Sequence, residues 1–495
     1  MSFDEEGYLR QHPDVRTAIR AGLFRSGEDH YTRIGKLEGR LMDVAGQQLR
    51  ASTNEALPPS PPITIERFAI SSSGHIFIVG WMDDRALEVN GLTFHRNGRV
   101  VHQPGLRFMR YIRRDVAAHL DADPSYRFGF WGVFRSSFTR DASKIQMALH
   151  SSAAKYLLAD IASWITDDQL NNLALGFLSL AEIQASVETA DEAFKTVTGV
   201  IHEISENRSN KGRDGAQIFD FNLDGPVRNS IVIVLYRNSS MLFPQALTLG
   251  PTLKAIGGEL IIVNNSPETF TETRHEIRRI HAALGLPLRF VQPAENLGFG
   301  GGNNLGARHA RGKNLVLMNP DLFPARGEDI LVFAGALGKK GMQETVLGAR
   351  LLYDDGSLMH DGMNLFFDPS TSGAGTEHKT ELLRVEHIGK GDPPDIVHGR
   401  ASGAIVDTPA ISGALIGLRK AFFDKLGGFD ERYLYGHYED VDLCVRASRA
   451  GGRVALHQGA YFYHLEGKSS DFTAPHIAGA IALNRLRCGA IVRGM

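Results

Sequence analysis

Four short apolar segments, separated by stretches with helical character, constrain the fold of this chain more than any other feature. The segments are Ile231–Leu235, Glu259–Val263, Leu288–Val291 and Leu315–Met318. Apolar runs of four or five residues bounded by polar residues are typical of buried strands. Helices are expected between the first three, near 241–255 and 271–284. Strands that alternate with helices predict a parallel sheet covered by helices, in a domain over residues 225–495.

Polar residues follow each of these strands at its carboxyl end. They are Tyr236–Asn238, Asn264–Ser266, a glycine-rich loop at 296–306, and Asn319–Asp321. The carboxyl ends of parallel strands meet at one edge of a sheet, and α/β proteins bind ligands in the crevice outside that edge. Core packing does not require such a coincidence, so these residues predict a ligand site.

Asp321 stands just beyond the fourth strand, which ends at Pro320 because proline cannot continue a sheet ladder. A carboxylate held beside a rigid strand suits a divalent cation that also touches phosphate. The alternative is structural, with Asp321 only opening the turn Asp321–Pro324. From this stretch alone, both interpretations stay open.

The glycine-rich loop runs from Asn296 to Gly306 with the sequence Asn-Leu-Gly-Phe-Gly-Gly-Gly-Asn-Asn-Leu-Gly. Glycines let backbone amides approach a ligand, and asparagine side chains both donate and accept hydrogen bonds. The helix that follows favours a nucleotide or phosphate near its N-terminus. Dinucleotide binding is the rival interpretation. However, Asn303 stands where that fingerprint has its third glycine, and the loop follows the third strand rather than the first.

Acids and a histidine near the C-terminus supply a second set of candidates. Glu439, Asp440 and Asp442 lie within four consecutive positions at the start of a predicted helix. Acids are stabilised there by the helix dipole, which is the structural interpretation, but one of them could instead serve as a general base. The aromatic strand Tyr461–Tyr463 leads into His464, and imidazole is a common ligand for transition metals.

Together these motifs resemble a family 2 glycosyltransferase, and more narrowly the rhamnosyltransferase-like branch that builds bacterial surface polysaccharides. The resemblance covers residues 225–495 and rests on Asn296–Gly306, Met318–Asp321, Ser412–Ala414, Gly427–Asp430, Glu439–Arg446 and His464, which occur in the family's order. It implies a glycosyltransferase-A fold, which is a Rossmann-like α/β domain with a mostly parallel sheet. It also implies an inverting, metal-dependent transfer of a hexose from a nucleotide-diphosphate sugar.

The resemblance further implies roles for single residues. Asp321 is expected to bind Mn²⁺ or Mg²⁺, with His464 as the second protein ligand. Asp440 is expected to act as the general base, with Glu439 beside it. The residues expected along the nucleotide sugar are Tyr236, Asn238, Asn264, Asn296, Gly298, Phe299, Asn303, Asn319 and Asp321.

The implied partners are a UDP- or dTDP-sugar donor and a glycan, lipid-linked or protein acceptor with a free hydroxyl, in bacterial surface polysaccharide or glycoconjugate synthesis. Two departures from the family pattern matter. Asn319 replaces the first Asp of the metal motif, and Val263 stands where the family often has an Asp that reads the base. A second hypothesis is therefore a catalytically degenerate scaffold that binds nucleotide sugars or glycans. A nicotinamide enzyme is a third.

The residues before 225 predict accessory regions and hence a multidomain protein. We expect a small helical module at 1–45, a proline-rich linker at 46–62, a β-sandwich-like domain at 63–155 and a helical linker at 156–224. Within the helical linker, the polar residues at 205–216 predict a loop or hinge.

Local signals support parts of these assignments. Asn97-Gly98 predicts a tight hairpin turn, and Thr166 with Gln169 predicts a capping box at a helix start. Four aromatic residues of the predicted β-sandwich-like domain have two interpretations, because aromatic side chains suit a sandwich core and also a sugar-stacking face. This group contains Trp81, Phe128, Phe130 and Trp131.

Composition limits the expected class of protein and its expected location. The formal net charge of −2 gives no sign of nucleic-acid binding, and two cysteines form neither a disulfide framework nor a zinc motif. We expect a cytoplasmic protein, because no signal peptide and no apolar run of ~18 residues is present. The last helix, at 474–495, carries three arginines that predict packing on the catalytic domain or peripheral contact with the inner face of an anionic membrane. The oligomeric state is not predicted.

Overall fold

The computed structural model describes residues 24–31, 63–85, 89–96, 99–102, 108–136, 145–151, 155–159, 163–179, 192–369, 381–394, 404–465 and 474–494, and single positions before residue 24. The chain divides into two compact units. The first contains the residues up to Ile204 and the start of the last helix, up to Gly479. The second contains the remainder. The predicted linker at 46–62 lies outside the described residues.

The first unit contains two β-sheets and short helices. Its strands are β1 (Ile63–Ser71), β2 (Ile76–Met82), β3 (Val89–Arg96), β4 (Arg99–His102), β5 (Met109–Tyr111), β6 (Gly129–Phe134), β7 (Ile145–Ser151), β8 (Lys155–Ala159) and β9 (Ser163–Ile165). Its helices are α1 (Gly27–His30), α2 (Arg114–His119), α3 (Asp167–Leu178) and the beginning of α4 (Glu192–Asp214). The sheet orders are β5-β6-β2-β1-β9 and β4-β3-β7-β8.

Aromatic packing dominates this unit. The rings of Phe68 on β1 and Phe94 on β3 stack with centroids 5.3 Å apart, which brings residues of both sheets into one core. Phe128, Phe130 and Trp131 are fully buried. These three are therefore core residues and not a sugar-stacking face, because a sandwich must bury one side of each sheet. Trp81 is half-buried.

Two local predictions can be compared directly with this unit. β3 pairs antiparallel with β4, Arg96 opposite Arg99, as the predicted hairpin requires, although Asn97 and Gly98 lie outside the described residues. The capping box is present. Thr166 Oγ1 accepts from the Gln169 amide at 3.1 Å, and Gln169 Oε1 accepts from the Thr166 amide at 2.9 Å.

The helical prediction for 156–224 was wrong at both ends and at the expected hinge. Residues 156–159 belong to strand β8, residues 163–165 form β9, and Gln217–Phe221 also form a strand. β8 forms a hairpin with the preceding β7, whereas β9 pairs with β1 and Gln217–Phe221 pairs with Leu288–Gln292, so strand pairing decided the conformation of these segments. The expected hinge at 205–216 is instead mostly the last turns of α4. The Gly212 carbonyl there accepts from the Ala294 amide at 3.0 Å, so the glycine serves close packing.

The second unit is an α/β layer structure. Its strands are β10 (Gln217–Phe221), β11 (Asn229–Leu235), β12 (Gly258–Asn264), β13 (Leu288–Gln292), β14 (Asn314–Met318), β15 (Leu322–Pro324), β16 (Thr345–Leu352), β17 (Leu358–His360), β18 (Met363–Pro369), β19 (Glu381–His387), β20 (Ile405–Asp407), β21 (Leu415–Arg419) and β22 (Arg453–His464). Its helices are the end of α4, α5 (Leu242–Ala255), α6 (Phe270–Leu284), α7 (Gly298–Arg308), α8 (Asp329–Leu337), α9 (Lys420–Lys425), α10 (Glu439–Arg449) and most of α11 (Pro475–Arg493), with a short 3₁₀ turn at Pro267–Thr269.

The main sheet has the order β10-β13-β12-β11-β14-β21-β16-β22-β15. β13, β12, β11 and β14 run parallel, as the alternating pattern predicted. β21 is antiparallel to β14, with Met318 opposite Leu415. The four predicted polar segments therefore follow strands that end at one edge of the sheet. No helix among the described residues is long and apolar enough to span a membrane.

Two glycines let helix α7 lie unusually close to the sheet. A Cβ atom on Gly302 would lie 2.7 Å from Val234 Cγ1, and one on Gly306 would lie 2.3 Å from Val232 Cγ1. Both valines are on β11, and Val232 is fully buried. The segment 296–306, predicted as a glycine-rich loop, is therefore helical from Gly298 onward, and these two glycines serve helix–sheet packing instead of the expected approach to a ligand.

We predict that Gly306→Ala destabilises the protein by about 1–3 kcal/mol, because a methyl group there overpacks against a stiff valine on a buried strand. Gly335→Ala in α8 is the matched control. Its Cβ would enter open space, so removing a helical glycine should stabilise by up to about 1 kcal/mol. Urea unfolding midpoints measure both changes. Equal stability of Gly306→Ala and the parent protein would contradict the close packing of α7.

Candidate active site

The first strand of the parallel set ends in a strained polar turn. Arg237 adopts φ +59°, and its amide donates to Ser266 Oγ at 2.7 Å. The Arg237 guanidinium lies over the half-buried Tyr236 ring, 4.9 Å from the centroid. Asn238 is exposed and accepts from the Ser240 amide at 2.8 Å. This turn therefore offers a half-buried aromatic face and an exposed amide at the sheet edge.

Asn264, at the end of the neighbouring strand, is fully engaged within the protein. It is 1% exposed, and its Nδ2 donates to Gln292 Oε1 at 2.7 Å and to the Ser266 carbonyl at 3.1 Å. Its Oδ1 accepts from Thr269 Oγ1 at 3.2 Å. The side chain thus supports the turn instead of presenting free donors to a nucleotide. Val263 is also fully buried, so it forms part of the core at the position where the family often reads the base.

The glycine loop is held in place by amide side chains. Asn265 donates to the Gly298 carbonyl at 2.9 Å and accepts from the Leu297 amide at 2.7 Å. Asn296 accepts from the amide of Gly298, whose φ is +71°. Asn265 lies in the predicted polar segment Asn264–Ser266 but had no individual role assigned. Its position just after a strand end is the sequence signal that could have identified it.

The helix after this loop is tied to the acidic C-terminal segment. Asn304 Nδ2 donates to the Phe429 carbonyl at 2.9 Å and to Glu431 Oε1 at 3.0 Å, and its Oδ1 accepts from the Phe429 amide. Asn303 is 2% exposed and donates to the Phe299 carbonyl one turn earlier. The half-buried Phe299 ring packs edge-on against Phe429, with centroids 5.8 Å apart.

Asp321 and His464 meet, although 142 positions of sequence separate them. β15 pairs with β22 so that Leu322 lies opposite His464, and the Leu465 amide donates to the Asp321 carbonyl at 3.0 Å. His464 Nε2 lies 3.3 Å from Asp321 Oδ1, and both side chains are nearly buried. Asp321 Oδ1 has no hydrogen-bond partner among the described residues.

These two side chains fit a divalent cation. His464 Nδ1 lies 3.3 Å from the Met359 sulfur. In the tautomer that donates Nδ1–H to that sulfur, Nε2 and Asp321 Oδ1 turn lone pairs toward each other. Two ligands of one octahedral ion at about 2.1 Å lie roughly 3.0 Å apart, close to the observed separation. Among the described residues, no group of three or more His, Cys, Asp or Glu side chains is arranged to hold a metal.

Asn319 links this pair to the next segment through its backbone. Its amide donates to the Ala414 carbonyl at 2.9 Å, and its carbonyl accepts from Gln245 Nε2 at 2.7 Å. Its side chain is half-buried at the sheet edge and carries no charge. The turn after β14 and the turn before β21 therefore lie side by side.

Asp440 is bound to that same turn before β21. Its Oδ2 accepts from the Gly413 amide at 2.8 Å, and its Oδ1 accepts from the Val441 amide at 2.8 Å. A Cβ on Gly413 would lie 3.3 Å from Asp440 Cβ, so a glycine favours the close approach. Asp440 remains half-buried. The predicted acid, the metal-type pair and the turn at 412–414 thus occupy one edge of the sheet.

The three neighbouring acids have different surroundings. Asp442 is buried and pairs with Arg446 at 2.7 Å, and burial still raises its pKa against that positive charge. Glu439 is 5% exposed, and its Oε2 has no hydrogen-bond partner among the described residues. Burial first, and the charge of Asp440 second, raise the pKa of Glu439 well above its ordinary value. The uncharged form of Glu439 is therefore favoured, whereas the half-buried Asp440 binds two backbone amides.

His360 is a site residue that sequence reasoning missed. The Ser412 amide donates to its Nε2 at 3.2 Å, which leaves the ring proton on Nδ1, 3.1 Å from His387 Nδ1. Burial first, and then the nearby His387 and His464, hold the pKa of His360 well below its ordinary value, so the ring is neutral. His360 thus supports the turn that binds Asp440. An isolated histidine carries no spacing signal in the sequence.

Comparisons with known proteins give distant likenesses. No protein-family model matches the chain. The chain is 24% identical to an uncharacterized protein of Sinorhizobium fredii (strain NBRC 101917 / NGR234), called y4gI, over 217 residues. The aligned region covers 43% of this chain but only 21% of the length of y4gI.

Three solved structures illustrate the structural comparison. A structure of GalNAc-T7 with UDP, GalNAc and Mn²⁺ has a TM-score of 0.37 at 15% identity, over 48% of this chain and 43% of that one. S. aureus TarS 1-349 has a TM-score of 0.33 at 17% identity, over 48% and 60%. The mannosyltransferase PcManGT from Pyrobaculum calidifontis in complex with GDP-Man and Mn²⁺ has a TM-score of 0.34 at 12% identity, over 66% and 86%. Likenesses this weak assign no function, which must come from the residues.

We predict that Glu439→Gln raises the thermal unfolding midpoint at pH 7.5 and changes it little near pH 4. The pKa of Glu439 is higher in the folded state than in the unfolded state. As pH rises above the ordinary carboxyl range, the unfolded state therefore loses a proton that the folded state retains, and stability falls. Gln removes this loss. Glu328→Gln, at a side chain 65% exposed, is the control and should show no such pH dependence. A pH-independent effect of Glu439→Gln would contradict the raised pKa of the buried carboxyl group.

Proposed function

We propose that this protein is an inverting, metal-dependent glycosyltransferase that uses a nucleotide-diphosphate sugar, as in the synthesis of bacterial surface polysaccharides or glycoconjugates. The observation that carries this proposal is the convergence of Asp321, His464 and Asp440 at one edge of the parallel sheet. Asp321 faces His464 at 3.3 Å, and Asp440 binds the turn that pairs with Asn319. The order and spacing of the glycosyltransferase-like motifs support the same function.

In the proposed mechanism, Asp440 accepts the proton of an acceptor hydroxyl. The hydroxyl oxygen attacks the anomeric carbon from the face opposite the diphosphate, and the bond to the diphosphate breaks, which inverts the configuration. Asp321 and His464 would hold Mn²⁺ or Mg²⁺, which when bound neutralises charge on the departing diphosphate. The raised pKa of Glu439 favours its uncharged form, which limits the negative charge beside the proposed base Asp440.

Nucleotide contacts are proposed at the exposed and half-buried positions of the edge. Tyr236 offers an aromatic face, and Asn238, Asn296 and Asn319 have side chains that are not buried. Gly298 and Phe299 begin the helix whose amides face the edge, although Phe299 N already donates to the Tyr435 carbonyl at 2.9 Å. A UDP- or dTDP-sugar is the proposed donor. With Val263 in the core, base recognition would fall to the strand-end turns.

A catalytically degenerate scaffold is the alternative function, and Asn319 is the residue that favours it. The neutral amide removes one negative charge from the metal motif. Both functions predict nucleotide-sugar binding, but only the enzyme transfers the sugar.

Metal binding gives the first test. We predict that UDP- or dTDP-sugars with Mn²⁺ raise the thermal midpoint of the parent protein, and that EDTA removes the increase, because a ligand that binds only the folded state stabilises it. Asp321→Asn and His464→Ala should each abolish the Mn²⁺-dependent part. Asp424→Asn, at an exposed side chain, is the matched control and should retain it. Full Mn²⁺-dependent stabilisation in both site variants would refute the proposed ligands.

Turnover gives the second test. We predict that Asp440→Asn lowers sugar transfer about 10²- to 10⁴-fold, which is the usual contribution of a general base, and leaves donor binding intact. Initial rates with a panel of nucleotide sugars and acceptors measure the loss. Unchanged turnover would reject Asp440 as the base. Donor binding without any transfer by the parent protein would favour the scaffold.

A further inference from the structure

We propose that Asn484, on the C-terminal helix α11, is a positioning residue that holds the loop immediately before the general base Asp440. This inference rests on the proposed function of Asp440. Asn484 is fully buried and lies in the same compact unit as the sheet edge. The sequence analysis placed it only within a terminal helix of uncertain role.

The loop before α10 has an unusual backbone. Tyr435, His437 and Tyr438 adopt φ values of +61°, +75° and +71°, and Gly436 lies between them at φ +158°. Non-glycine residues avoid this left-handed region because Cβ crowds the backbone, and such strain persists only where the surroundings impose it. Tyr438 is also the N-cap of α10, where no side chain caps the helix. The loop therefore needs an external restraint.

Asn484 supplies this restraint through four contacts with the loop backbone. Its Nδ2 donates to the carbonyls of Leu434 at 3.0 Å, Gly436 at 2.7 Å and His437 at 3.2 Å. Its Oδ1 accepts from the Leu434 amide at 3.0 Å. These partners fix the orientation of the Asn484 side chain, with Nδ2 toward the three carbonyls and Oδ1 toward the backbone amide. In the flipped orientation, Oδ1 would face the carbonyl oxygens without a hydrogen between them.

The restrained loop leads directly into the acids. Glu439 and Asp440 are the first two residues of α10, and the Asp442 amide donates to the Tyr438 carbonyl at 3.0 Å. The direction of the first turn, and hence of Asp440 toward Gly413, depends on the conformation at 435–438. A small displacement of a catalytic group can lower turnover about 100-fold.

The helix that carries Asn484 is itself anchored to the second unit. Arg487 donates to Asp430 Oδ2 at 2.9 Å, Arg485 donates to the Leu383 carbonyl, and Arg493 donates to the Glu381 carbonyl. Although burial acts in the opposite direction, hydrogen bonds from Arg432 and the charge of Arg487 hold the pKa of Asp430 well below its ordinary value. The three arginines are thus bound by the protein, which accounts for them without a membrane surface.

Asn484→Asp tests this inference, because it replaces the donating NH₂ by an oxygen of similar size that faces three carbonyls. We expect transfer kcat to fall about 100-fold with the donor KM unchanged. We also expect faster hydrogen exchange of the backbone at 434–442, and no change at 258–264 on the sheet. Asn484→Ala should act in the same direction. A purely structural defect would instead reduce the amount of folded protein and leave its kcat unchanged.

Leu483→Ala is the control, because Leu483 is a buried neighbour on the same helix without a hydrogen bond to the loop. It should lower the melting temperature and leave kcat and exchange at 434–442 as in the parent protein. Unchanged kcat and exchange in Asn484→Asp would overturn the inference, and so would equal losses in Leu483→Ala. If the parent protein shows no transfer, the proposed function fails. The exchange measurement then still decides whether Asn484 holds the loop.

Discussion

The antiparallel pairing of β14 with β21 is the constraint on which the site depends. Met318, the last residue of β14, lies opposite Leu415, the first residue of β21. The chain therefore leaves β14 and enters β21 at the same edge of the sheet. Asp321 follows from one turn, and Gly413, which binds Asp440, belongs to the other. The backbone hydrogen bond from Asn319 to Ala414 fixes the two turns against each other. Chemistry that is scattered over the sequence therefore meets at one place.

Buried amide side chains hold the loops around this edge. Asn264, Asn265, Asn304 and Asn484 are each at most 7% exposed, and each bonds to the backbone of a segment other than its own element. Because an unpaired buried amide is costly, a fully bonded one specifies a single loop conformation. Of these four, only Asn264 was predicted from the sequence to contact the nucleotide. All four instead hold loops in place.

The three neighbouring acids at the start of α10 differ in their electrostatic surroundings because the fold gives each a different partner. Glu439, Asp440 and Asp442 are adjacent in sequence, but they differ in burial and partners. Asp442 has Arg446, Asp440 has two backbone amides, and Glu439 has a buried oxygen without a partner among the described residues. These surroundings raise the pKa of Glu439 and favour its uncharged form beside Asp440. Residue type alone could not have separated the three.

Hydrophobic period and turn chemistry were sufficient to predict the four parallel strands, the helices between them and the shared edge, because these features depend on local pattern. The same reasoning failed at 156–159, 163–165, 205–216 and 217–221, where pairing with another strand or a helix–loop contact decides the conformation. It also could not find His360 or Asn484, since one histidine and one asparagine have no periodicity. Their roles follow from hydrogen bonds to turns 52 and 50 positions away, and only folding brings such groups together.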